Sequence, residues 1–452
     1  MEETKLLLAF YGDDFTGSTD AMESLSSSGY RTVLFLEPPS GEMLKKFEGL
    51  QCIGVAGTSR AKAPEEMEAE LRPVFDRFAE IGAKVTHYKT CSTFDSSPQV
   101  GSIGKAVEVA RDYFTEQKAI PLLVGAPPLG RYTLFGNHFA RMQNEVYRLD
   151  RHPVMSRHPV TPMDEADLRL HLSGQTKEKV GLMSILDLEG PIEKVREQFQ
   201  NKIADKGMLL FDVLDDEKLK VSGQLIWEKA VQEKLFVVGS SGVGYALTAH
   251  WKTADLQNKA QKVESQNRNA RKPVLAVSGS ASPVTQKQIT NAIEDGFYGI
   301  RVTPEQITER NSMPLELIDQ AINLINEENS VVFYTALGPD DPSILKTRNL
   351  FAKKGVSEFH SGEIIGKQLG RWSKEIIKAT GITRGIVAGG DTSGFVTREL
   401  GIYGLEVFRQ ISPGAPLCQA FSSDEKMNGF ELALKGGQLG GLSYFSDVRA
   451  AE

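Results

Sequence analysis

The sequence predicts an α/β protein with two domains, each a mainly parallel sheet flanked by helices. The first observation is length, because 452 residues exceed what one ordinary hydrophobic core supports. The second is the alternation of short unbroken apolar runs with helical segments, which is typical of strands buried on both faces of a parallel sheet. The third is a polar stretch at residues 252–272 that divides the chain. We predict a first domain at 1–255, a linker at 256–272 and a second domain at 273–452.

The composition argues against several classes of function. A net charge of −7 does not suit a nucleic-acid-binding protein that relies on a basic surface. The three cysteines, Cys52, Cys91 and Cys418, are too far apart for a disulfide framework or a zinc site. The first residues lack a signal-peptide pattern, and no apolar run is long enough to suggest a membrane span. A cytoplasmic protein without nucleic-acid or membrane partners is therefore expected.

Strand and helix patterns alternate along both halves of the chain. Strands are predicted at residues 6–11, 31–36, 52–56, 84–88, 180–185, 208–213, 235–238, 273–277, 298–302 and 331–335, with another from Leu122. Helices are predicted at residues 18–29, 64–81, 315–326 and 362–379, with others that begin at Pro283 and Gly394. Residues 132–162 show no clear period, so a long loop is expected there.

Two adjacent carboxylates follow the first predicted strand. Asp13 and Asp14 stand just beyond the apolar run at residues 6–11. Ligands of parallel sheets bind beyond the carboxyl ends of the strands, and paired carboxylates there suit a general base or a ligand for sugar hydroxyls. The alternative is that one aspartate caps the next helix while the other is solvated.

Two more strand ends carry polar side chains. Arg60 follows the strand at 52–56, and its guanidinium could grip a substrate carboxylate through two hydrogen bonds. Lys89 opens a dense polar run that contains Ser92 and Thr93, which suggests an anionic ligand with hydroxyl groups. The alternatives are a surface arginine and a capped turn that leads into a helix.

A glycine-rich stretch in the second half has the pattern of a phosphate site. An apolar run ends in Gly389 and Gly390, and Asp391 and Thr392 follow near the start of a predicted helix. Unpaired N–H groups and the dipole at a helix start favour phosphate, and glycine lets the backbone approach it closely. Asp391 could also hold Mg²⁺. The alternative is a tight turn with Asp391 as the helix N-cap.

Two other loops of small residues follow predicted strands in the same half. Residues 278–285 contain Ser280 and Ser282, and Ser282 is predicted to cap a helix that begins with proline. Residues 435–441 form a third glycine-rich loop, which contains Gly437. Three such loops in one domain are stronger evidence for a nucleotide site than a single loop, because a triphosphate needs several groups of backbone donors.

Six stretches with these motifs follow one another along nearly the whole chain. They are Tyr11-Gly-Asp-Asp-Phe-Thr-Gly17, Tyr88-Lys-Thr-Cys-Ser-Thr-Phe-Asp95, Ser278-Gly-Ser-Ala-Ser-Pro-Val-Thr285, Ala388-Gly-Gly-Asp-Thr-Ser-Gly394, Ser412-Pro-Gly-Ala-Pro416 and Lys435-Gly-Gly-Gln-Leu-Gly440. Together they resemble the four-carbon acid sugar kinase family. The resemblance implies a first domain that binds a sugar acid, a second domain that binds ATP, and an active site in the interdomain cleft. The implied reaction phosphorylates a terminal hydroxyl of an acid such as 3-oxo-tetronate, threonate or erythronate.

The resemblance also implies roles for single residues. The implied contacts to the sugar acid are Asp13, Asp14, Arg60, Lys89, Ser92 and Thr93. The implied contacts to the nucleotide are Ser280, Ser282, Gly389, Gly390, Asp391, Thr392 and Gly437. ATP and Mg²⁺ are the expected cofactors, the sugar acid and ATP the expected small-molecule partners, and a homodimer is left open.

One stretch departs from the family pattern. Many members read Asp-Ser-Thr-Leu-Arg-Gly after the lysine, whereas this chain reads Cys91-Ser-Thr-Phe-Asp-Ser96. A carboxylate is lost at position 91, and the family's arginine is missing, with an acid at position 95 instead. A branched acid such as 3-oxo-isoapionate is therefore an alternative substrate.

A mechanism follows as a hypothesis. Phosphoryl transfer depends mainly on positioning and charge neutralisation. We expect Asp13 or Asp14 to accept the proton of the attacking hydroxyl, while Arg60 and Lys89 hold the acid. Two other hypotheses stay open: a sugar-acid sensor without catalysis, and a phosphohydrolase or mutase with Asp13 as nucleophile.

Overall fold

The structure, a computed structural model, describes residues 6–158, 160–204, 207–254, 256, 273–309, 313–356 and 358–451. The chain divides into two compact units, Met1–Ala260 and Gln261–Glu452. The strands within each unit are mainly parallel and alternate with helices, which confirms the predicted fold class. Of the predicted linker only Leu256 lies within the described residues, so the predicted domain limits stay a prediction.

The first unit alternates strands and helices along the chain. Its strands are β1 (Leu8–Gly12), β2 (Thr32–Phe35), β3 (Cys52–Ala56), β4 (Val85–Lys89), β5 (Ile120–Leu123), β6 (Arg131–Leu134), β7 (Asn137–Met142), β8 (Glu145–Arg148), β9 (Val180–Met183), β10 (Met208–Phe211) and β11 (Leu235–Gly239). Its helices are α1 (Phe15–Ser26), α2 (Gly41–Leu44), α3 (Pro64–Ile81), α4 (Ile103–Arg111), α5 (Leu168–Ser173), α6 (Ile192–Ile203), α7 (Asp216–Gln232) and α8 (Gly242–Thr253).

The main sheet of the first unit runs in the order β2-β3-β1-β4-β11-β5-β10-β9, and its strand pairs are parallel. The strands at its centre end level with one another, because Gly12 lies opposite both Ala56 and Lys89, and Lys89 lies opposite Gly239. The loops that carry Asp13, Arg60 and the residues after Lys89 therefore leave the sheet from one edge. That edge is where a parallel sheet binds its ligands.

Residues 132–162 contain regular structure, so the expectation of a long loop is wrong. Strands β6, β7 and β8 form a separate antiparallel sheet, which we call the antiparallel arm (residues 131–148). Its first turn places Phe135 and Gly136 at φ of 49° and 82°, the left-handed geometry of a tight hairpin turn. The arm is only half-buried and rich in polar side chains, so it lacks the apolar run that marks a central strand.

The second unit repeats the alternation. Its strands are β12 (Leu275–Ser278), β13 (Phe297–Arg301), β14 (Ser330–Tyr334), β15 (Arg384–Ala388), β16 (Ile402–Ser412), β17 (Ala415–Ser422) and β18 (Glu431–Lys435). Its helices are α9 (Pro283–Glu294), α10 (Pro304–Thr308), α11 (Leu315–Asn326), α12 (Pro342–Lys353), α13 (Glu358–Thr380), α14 (Gly390–Glu399) and α15 (Tyr444–Ala450).

The sheet of the second unit has the order β13-β14-β12-β15-β18-β17-β16. The five strands from β13 to β18 in that order are parallel, while β17 and β16 continue the sheet as an antiparallel hairpin. Its core combines inward-facing strand residues with Ile289 of α9 and with Tyr444 and Phe445 of α15. Burial of such side chains stabilises the unit by about 25 cal/mol for each Å² of apolar surface removed from water.

Two local details of the helices bear on function. Helix α14 begins at Gly390 and not at Gly394 as predicted, so Asp391 and Thr392 belong to its first turn. Helix α9 begins at Pro283 with Ser282 as its N-cap, as predicted. None of the helices in the described part of the chain combines the length and the apolar character that a membrane span requires.

Candidate functional site

Asp13, Asp14 and Arg60 form a connected ion cluster at the carboxyl edge of the first sheet. The Arg60 guanidinium donates to Asp13 through Nε to Oδ2 at 3.1 Å and through Nη2 to Oδ1 at 2.6 Å. Nη2 also donates to Asp14 Oδ1 at 2.7 Å. The backbone fixes the same geometry, since the Arg60 N–H donates to the Asp13 carbonyl at 3.0 Å. Arg60 is thus held by the two carboxylates and is not a separate surface arginine.

The two aspartates occupy different environments. The Asp14 side chain is 29% exposed and caps α1 by accepting from the Gly17 N–H, whereas the Asp13 side chain is 3% exposed. Burial raises the pKa of the Asp13 carboxyl, and the Arg60 guanidinium opposes that rise. Of the alternative predicted from the sequence, only the helix cap is found, and Asp14 makes it; Asp13 is buried and not solvated. Two carboxylates that share one guanidinium can bind a hydroxyl group and take up its proton.

Lys89 brings a second cation to the same edge. Its side chain is buried at the end of β4, and its Nζ lies 4.0 Å from the Asp20 carboxylate of α1. Gly17 makes room for it, since a Cβ on Gly17 would lie 2.8 Å from Lys89 Nζ and 2.4 Å from Asp14 Oδ1. The absence of a side chain at Gly17 lets the ammonium approach the first turn of α1.

The polar run after Lys89 is a tight, internally bonded loop. Thr93 Oγ1 donates to Asp95 Oδ1 at 2.8 Å, and Cys91 Sγ lies 3.0 Å from Thr93 Oγ1. Burial raises the pKa of the Cys91 thiol to about 11, so the sulfur stays a thiol at neutral pH. Phe94 is buried with φ at 60°, a strained backbone that the surrounding packing has to hold.

A histidine of the antiparallel arm forms a hydrogen bond with this loop. His138 of β7 lies with Nε2 2.9 Å from the Ser92 carbonyl and Nδ1 3.0 Å from Thr133 Oγ1. Burial lowers the pKa of His138 to about 4, so the ring is neutral and donates one of these bonds while accepting the other. Ser92 and Thr93, both predicted from the sequence, are therefore positioned by an arm that the sequence did not reveal.

In the second unit, the three predicted loops leave three neighbouring strands at the same level. Ser278 lies opposite Ala388, and Ala388 lies opposite Lys435, so β12, β15 and β18 end together. The backbone links the loops directly, because the Gly389 N–H donates to the Lys435 carbonyl at 2.9 Å. The Gly279 N–H in turn donates to the Ala388 carbonyl at 3.2 Å.

Side chains of the three loops also approach one another. A Cβ on Gly389 would lie 2.8 Å from Thr392 Oγ1 and 3.6 Å from Ser280 Cβ, and a Cβ on Gly437 would lie 2.8 Å from Ser280 Oγ and 3.2 Å from Ser282 Cβ. Every nucleotide contact implied by the resemblance thus falls on one of three converging loops. Their roles remain a prediction, but the geometry is that of a cradle lined by backbone and small hydroxyls.

Helix α14 opens directly into this cradle. Its N-cap residue is Gly389, which adopts φ of 129° and has no side chain with which to cap the helix. Ser393 Oγ donates to the Gly389 carbonyl at 2.7 Å, which leaves Thr392 as the hydroxyl next to the loops. Asp391 is exposed in the first turn. An uncapped helix start between glycine loops favours the binding of an anion.

Lys435 is a residue of this cradle that the sequence analysis did not single out. It is buried at the end of β18, and its Nζ donates to Thr285 Oγ1 at 2.9 Å. Burial lowers its pKa to about 8. The sequence did contain a signal for this residue, namely a lysine at the end of an apolar run and just before two glycines. Its low pKa follows from packing against α9, which lies far away in the sequence.

A cavity of about 480 Å³ adjoins the cradle within the second unit. Gly279 and Ala281 of the first loop line one part of it, and apolar side chains of α12 and α13 line another. These apolar side chains include Ile344, Phe351 and Ile365. A cavity of this size, apolar with a few polar groups, suits a flat aromatic ligand.

Two family models together match most of the chain. The model described as "Sugar-binding N-terminal domain" matches residues 8–247, and the model described as "Nucleotide-binding C-terminal domain" matches residues 275–445. The ion cluster lies in the first match and the cradle in the second. The chain therefore belongs to the two-domain family that these models define, and the resemblance to the four-carbon acid sugar kinases is confirmed.

Relatives of known name span nearly the full chain. A Paraburkholderia graminis protein named 3-oxo-isoapionate kinase is 41% identical over 98% of this chain and 94% of its own length. A Pseudomonas savastanoi pv. phaseolicola protein named 3-oxo-tetronate kinase is 28% identical over 99% of this chain and 97% of its own. A crystal structure of a Haemophilus influenzae protein of the DUF1537 family is similar, with a TM-score of 0.72, 25% identity and coverage of 98% and 99%.

Proposed function

We propose that this protein is an ATP-dependent kinase that phosphorylates a hydroxyl group of a small sugar acid. The observation that carries the proposal is the pairing of two complementary sites in one chain. One is an Asp13–Arg60–Asp14 cluster beside a buried lysine, and the other is a cradle of three glycine loops at a helix start. Full-length similarity to proteins named as sugar-acid kinases supports the same activity.

The cradle is proposed to bind ATP. Its backbone N–H groups and the start of α14 would hold the phosphates through Gly389, Gly390, Thr392 and Gly437. Ser280 and Ser282 would contribute from the first loop, and the adjoining cavity of about 480 Å³ would take the adenine ring.

Asp391 is the residue that we propose to hold Mg²⁺ at this site. Among the described residues, no three His, Cys, Asp or Glu side chains stand close enough together to hold a metal ion, so a site made only of protein ligands is not the expected form. Nucleotide-bound Mg²⁺ needs only one or two carboxylates, because phosphates and water supply the rest. Asp391, which is exposed in the first turn of α14, would be that carboxylate. When bound, the ion neutralises charge on the phosphate oxygens.

The ion cluster is proposed to bind the sugar acid and to activate its hydroxyl. Asp13 or Asp14 would orient the hydroxyl and accept its proton as the oxygen bonds to the γ-phosphorus and ADP leaves. Asp14 is the more accessible of the two. Arg60 would hold both carboxylates in place, and Lys89, Ser92 and Thr93 would complete the contacts to the acid.

Two substrates are candidates within this class. A four-carbon acid of the 3-oxo-tetronate, threonate or erythronate type is the first. The branched acid 3-oxo-isoapionate is the second, and it is supported by the 41% identical relative that is named 3-oxo-isoapionate kinase. Both present a carboxylate and a free hydroxyl, so the same cluster could serve either.

The first test is ADP release from ATP with each of these acids in turn. We expect one acid to stimulate ADP release strongly and to yield an acid-stable phosphate ester. Binding of an acid without stimulated ADP release would favour a sensor. A trapped aspartyl-phosphate at Asp13 would favour a phosphohydrolase or mutase.

The second test compares Asp13→Asn with Asp14→Asn. At least one variant should lose turnover by about 100-fold or more, the range of general base catalysis, while its ADP affinity is unchanged. Asp447→Asn, a carboxylate of α15 outside both sites, is the control and should keep full turnover. Full activity in both test variants would remove the aspartates from the mechanism.

A further inference from the structure

Arg131 stands at the same edge of the first sheet as the ion cluster. It begins β6, directly after the loop that follows β5, and β5 is separated from β4 only by β11. Its backbone closes that loop, since the Arg131 N–H donates to the Ala126 carbonyl at 3.1 Å and the Ala126 N–H donates back at 2.9 Å. The start of the antiparallel arm is therefore fixed at the edge where the acid is proposed to bind.

Only one nitrogen of the Arg131 guanidinium is engaged within the described residues. Nη1 donates to the carbonyls of Leu129 at 3.1 Å, Gly130 at 3.4 Å and Arg141 at 3.2 Å. Nε is buried and has no partner among the described residues. The edge formed by Nε and Nη2 has the fork geometry that matches a carboxylate.

The charges near Arg131 belong to the proposed acid site. Burial lowers the pKa of Arg131, and the nearby carboxylates of Asp20 and Asp95 oppose that shift, but in the described part of the chain neither carboxylate forms an ion pair with it. Asp20 is also the acid 4.0 Å from Lys89 Nζ. Arg60, by contrast, already uses Nε and Nη2 for Asp13 and Asp14.

We propose that Arg131 binds the carboxylate of the sugar acid through its Nε and Nη2 edge and thereby selects an acid over a neutral sugar. The proposal rests on the function proposed above and adds to it a residue that sets specificity. In this proposal the two arginines have different roles. Arg60 holds the carboxylates that activate the hydroxyl, and Arg131 receives the carboxylate at the other end of the substrate.

The experiment uses Arg131→Gln in the full chain with the acid that the wild-type protein phosphorylates best in the panel above. We expect its KM for the acid to rise by about 10- to 100-fold, the loss that follows when charge-assisted hydrogen bonds disappear. Its KM for ATP and its ADP affinity should be unchanged. The wild-type preference for the acid over the corresponding carboxamide should fall by a similar factor.

Two further variants make the result decisive. Arg141→Gln removes the same charge from an exposed side chain of the same arm and should leave the KM for the acid unchanged. Arg131→Lys keeps a charge but loses the fork, so its KM should lie between those of the wild type and the glutamine variant. It is also the test variant if Arg131→Gln does not fold.

The outcomes separate this proposal from the proposed function. If the wild-type protein phosphorylates none of the acids, the proposed substrate class fails whatever Arg131 does. If the wild-type protein is active and the Arg131 variants keep its KM for the acid and its preference over the carboxamide, only the assignment of Arg131 is overturned.

Discussion

At the scale of single residues, Lys435 shows how packing changes a pKa, because burial lowers the pKa of its ammonium group to about 8. In the described part of the chain, no carboxylate pairs with Lys435, and its Nζ contacts only Thr285 Oγ1 and, at 3.5 Å, the Gly437 carbonyl. A buried ammonium without a counter-ion is costly, and a phosphate placed in the cradle would supply the missing negative charge. Lys435 is thus suited to an anion that arrives with the ligand.

We expect the stability difference between the wild type and Lys435→Met to depend on pH. The pKa of about 8 lies below the usual lysine value of 10.5, so the unfolded chain binds more protons between these values. The burial cost is full below about pH 8 and declines as the pH rises toward 10.5. Without nucleotide, Lys435→Met should therefore be more stable than the wild type by roughly 3 kcal/mol at pH 7, and by less at pH 9.5.

Urea unfolding at the two pH values measures this difference. Lys287→Met, on the exposed face of α9, is the matched control and should show little change at either pH. With ADP present the order should reverse, because the wild type gains the phosphate contact. A stability difference that is the same at pH 7 and pH 9.5 would contradict the proposed burial cost.

At the scale of elements, the glycine loops are where backbone geometry is most restrictive. Gly389 combines a φ of 129°, which side chains rarely adopt, with the close approach of Thr392. It is also the residue at which β15 gives way to α14. The turn that exposes the helix start thus depends on the absence of a side chain at one position.

We expect Gly389→Ala to weaken ADP binding by more than about 10-fold, because the new Cβ forces Thr392 and the helix start to shift. Gly381→Ala is the matched control, since Gly381 also has positive φ, at 69°, but open space around it. The control should lose stability by about 1 kcal/mol through strain and keep its ADP affinity. Isothermal titration of both variants with ADP checks this, and equal losses of affinity would refute a specific role for Gly389.

The elements that could be predicted from the sequence are those with strong local patterns. The bounds of β3 and α3 agree with the predicted ones, because an unbroken apolar run and an amphipathic period are both local signals. The antiparallel arm and the hairpin of β16 and β17 were not predicted, since the arm and β16 are partly exposed and β17, although mostly buried, mixes apolar with polar residues. The start of α14 was placed too late because paired glycines suggest a loop.

The same reasoning applies to the site residues. Asp13, Arg60, Lys89 and the three glycine loops follow strand ends, so the rule on carboxyl ends was enough to select them. Arg131 also follows a strand end, that of β5, but the bonds that fix its guanidinium arise only when the arm folds, as the one from Nη1 to the Arg141 carbonyl shows, so its position in the sequence did not single it out. Lys435 likewise depends on Thr285, which is 150 positions away in the chain.

At the scale of the whole molecule, the two candidate sites lie in separate units. The ion cluster of Asp13, Asp14 and Arg60 belongs to the first unit, and the three glycine loops belong to the second. Each site rests on strands that end level with one another. Each unit is thus expected to recognise its own ligand through its own sheet edge.

Hydrogen exchange of the full chain tests this division. ADP should slow amide exchange in residues 279–282, 389–393 and 436–438, because these amides would bind phosphate or lie beneath it. The sugar acid alone should instead slow exchange in residues 13–17 and 89–95. Erythritol, a neutral polyol, is the control and should protect neither set. Protection of residues 13–17 by ADP, without protection of 389–393, would reverse the assignment of the units.

The antiparallel arm has a consequence for how such a chain can diversify. It supplies both the histidine that braces the loop after β4 and the arginine at the same edge, yet its strands form a sheet of their own. We expect substitutions at the exposed and half-buried positions of the arm to change which small acid binds while the main sheet keeps its packing. Natural variation in the acid that binds should accordingly concentrate in residues 131–148 and the loop they contact, while Asp13, Asp14 and the strand that precedes them stay constant.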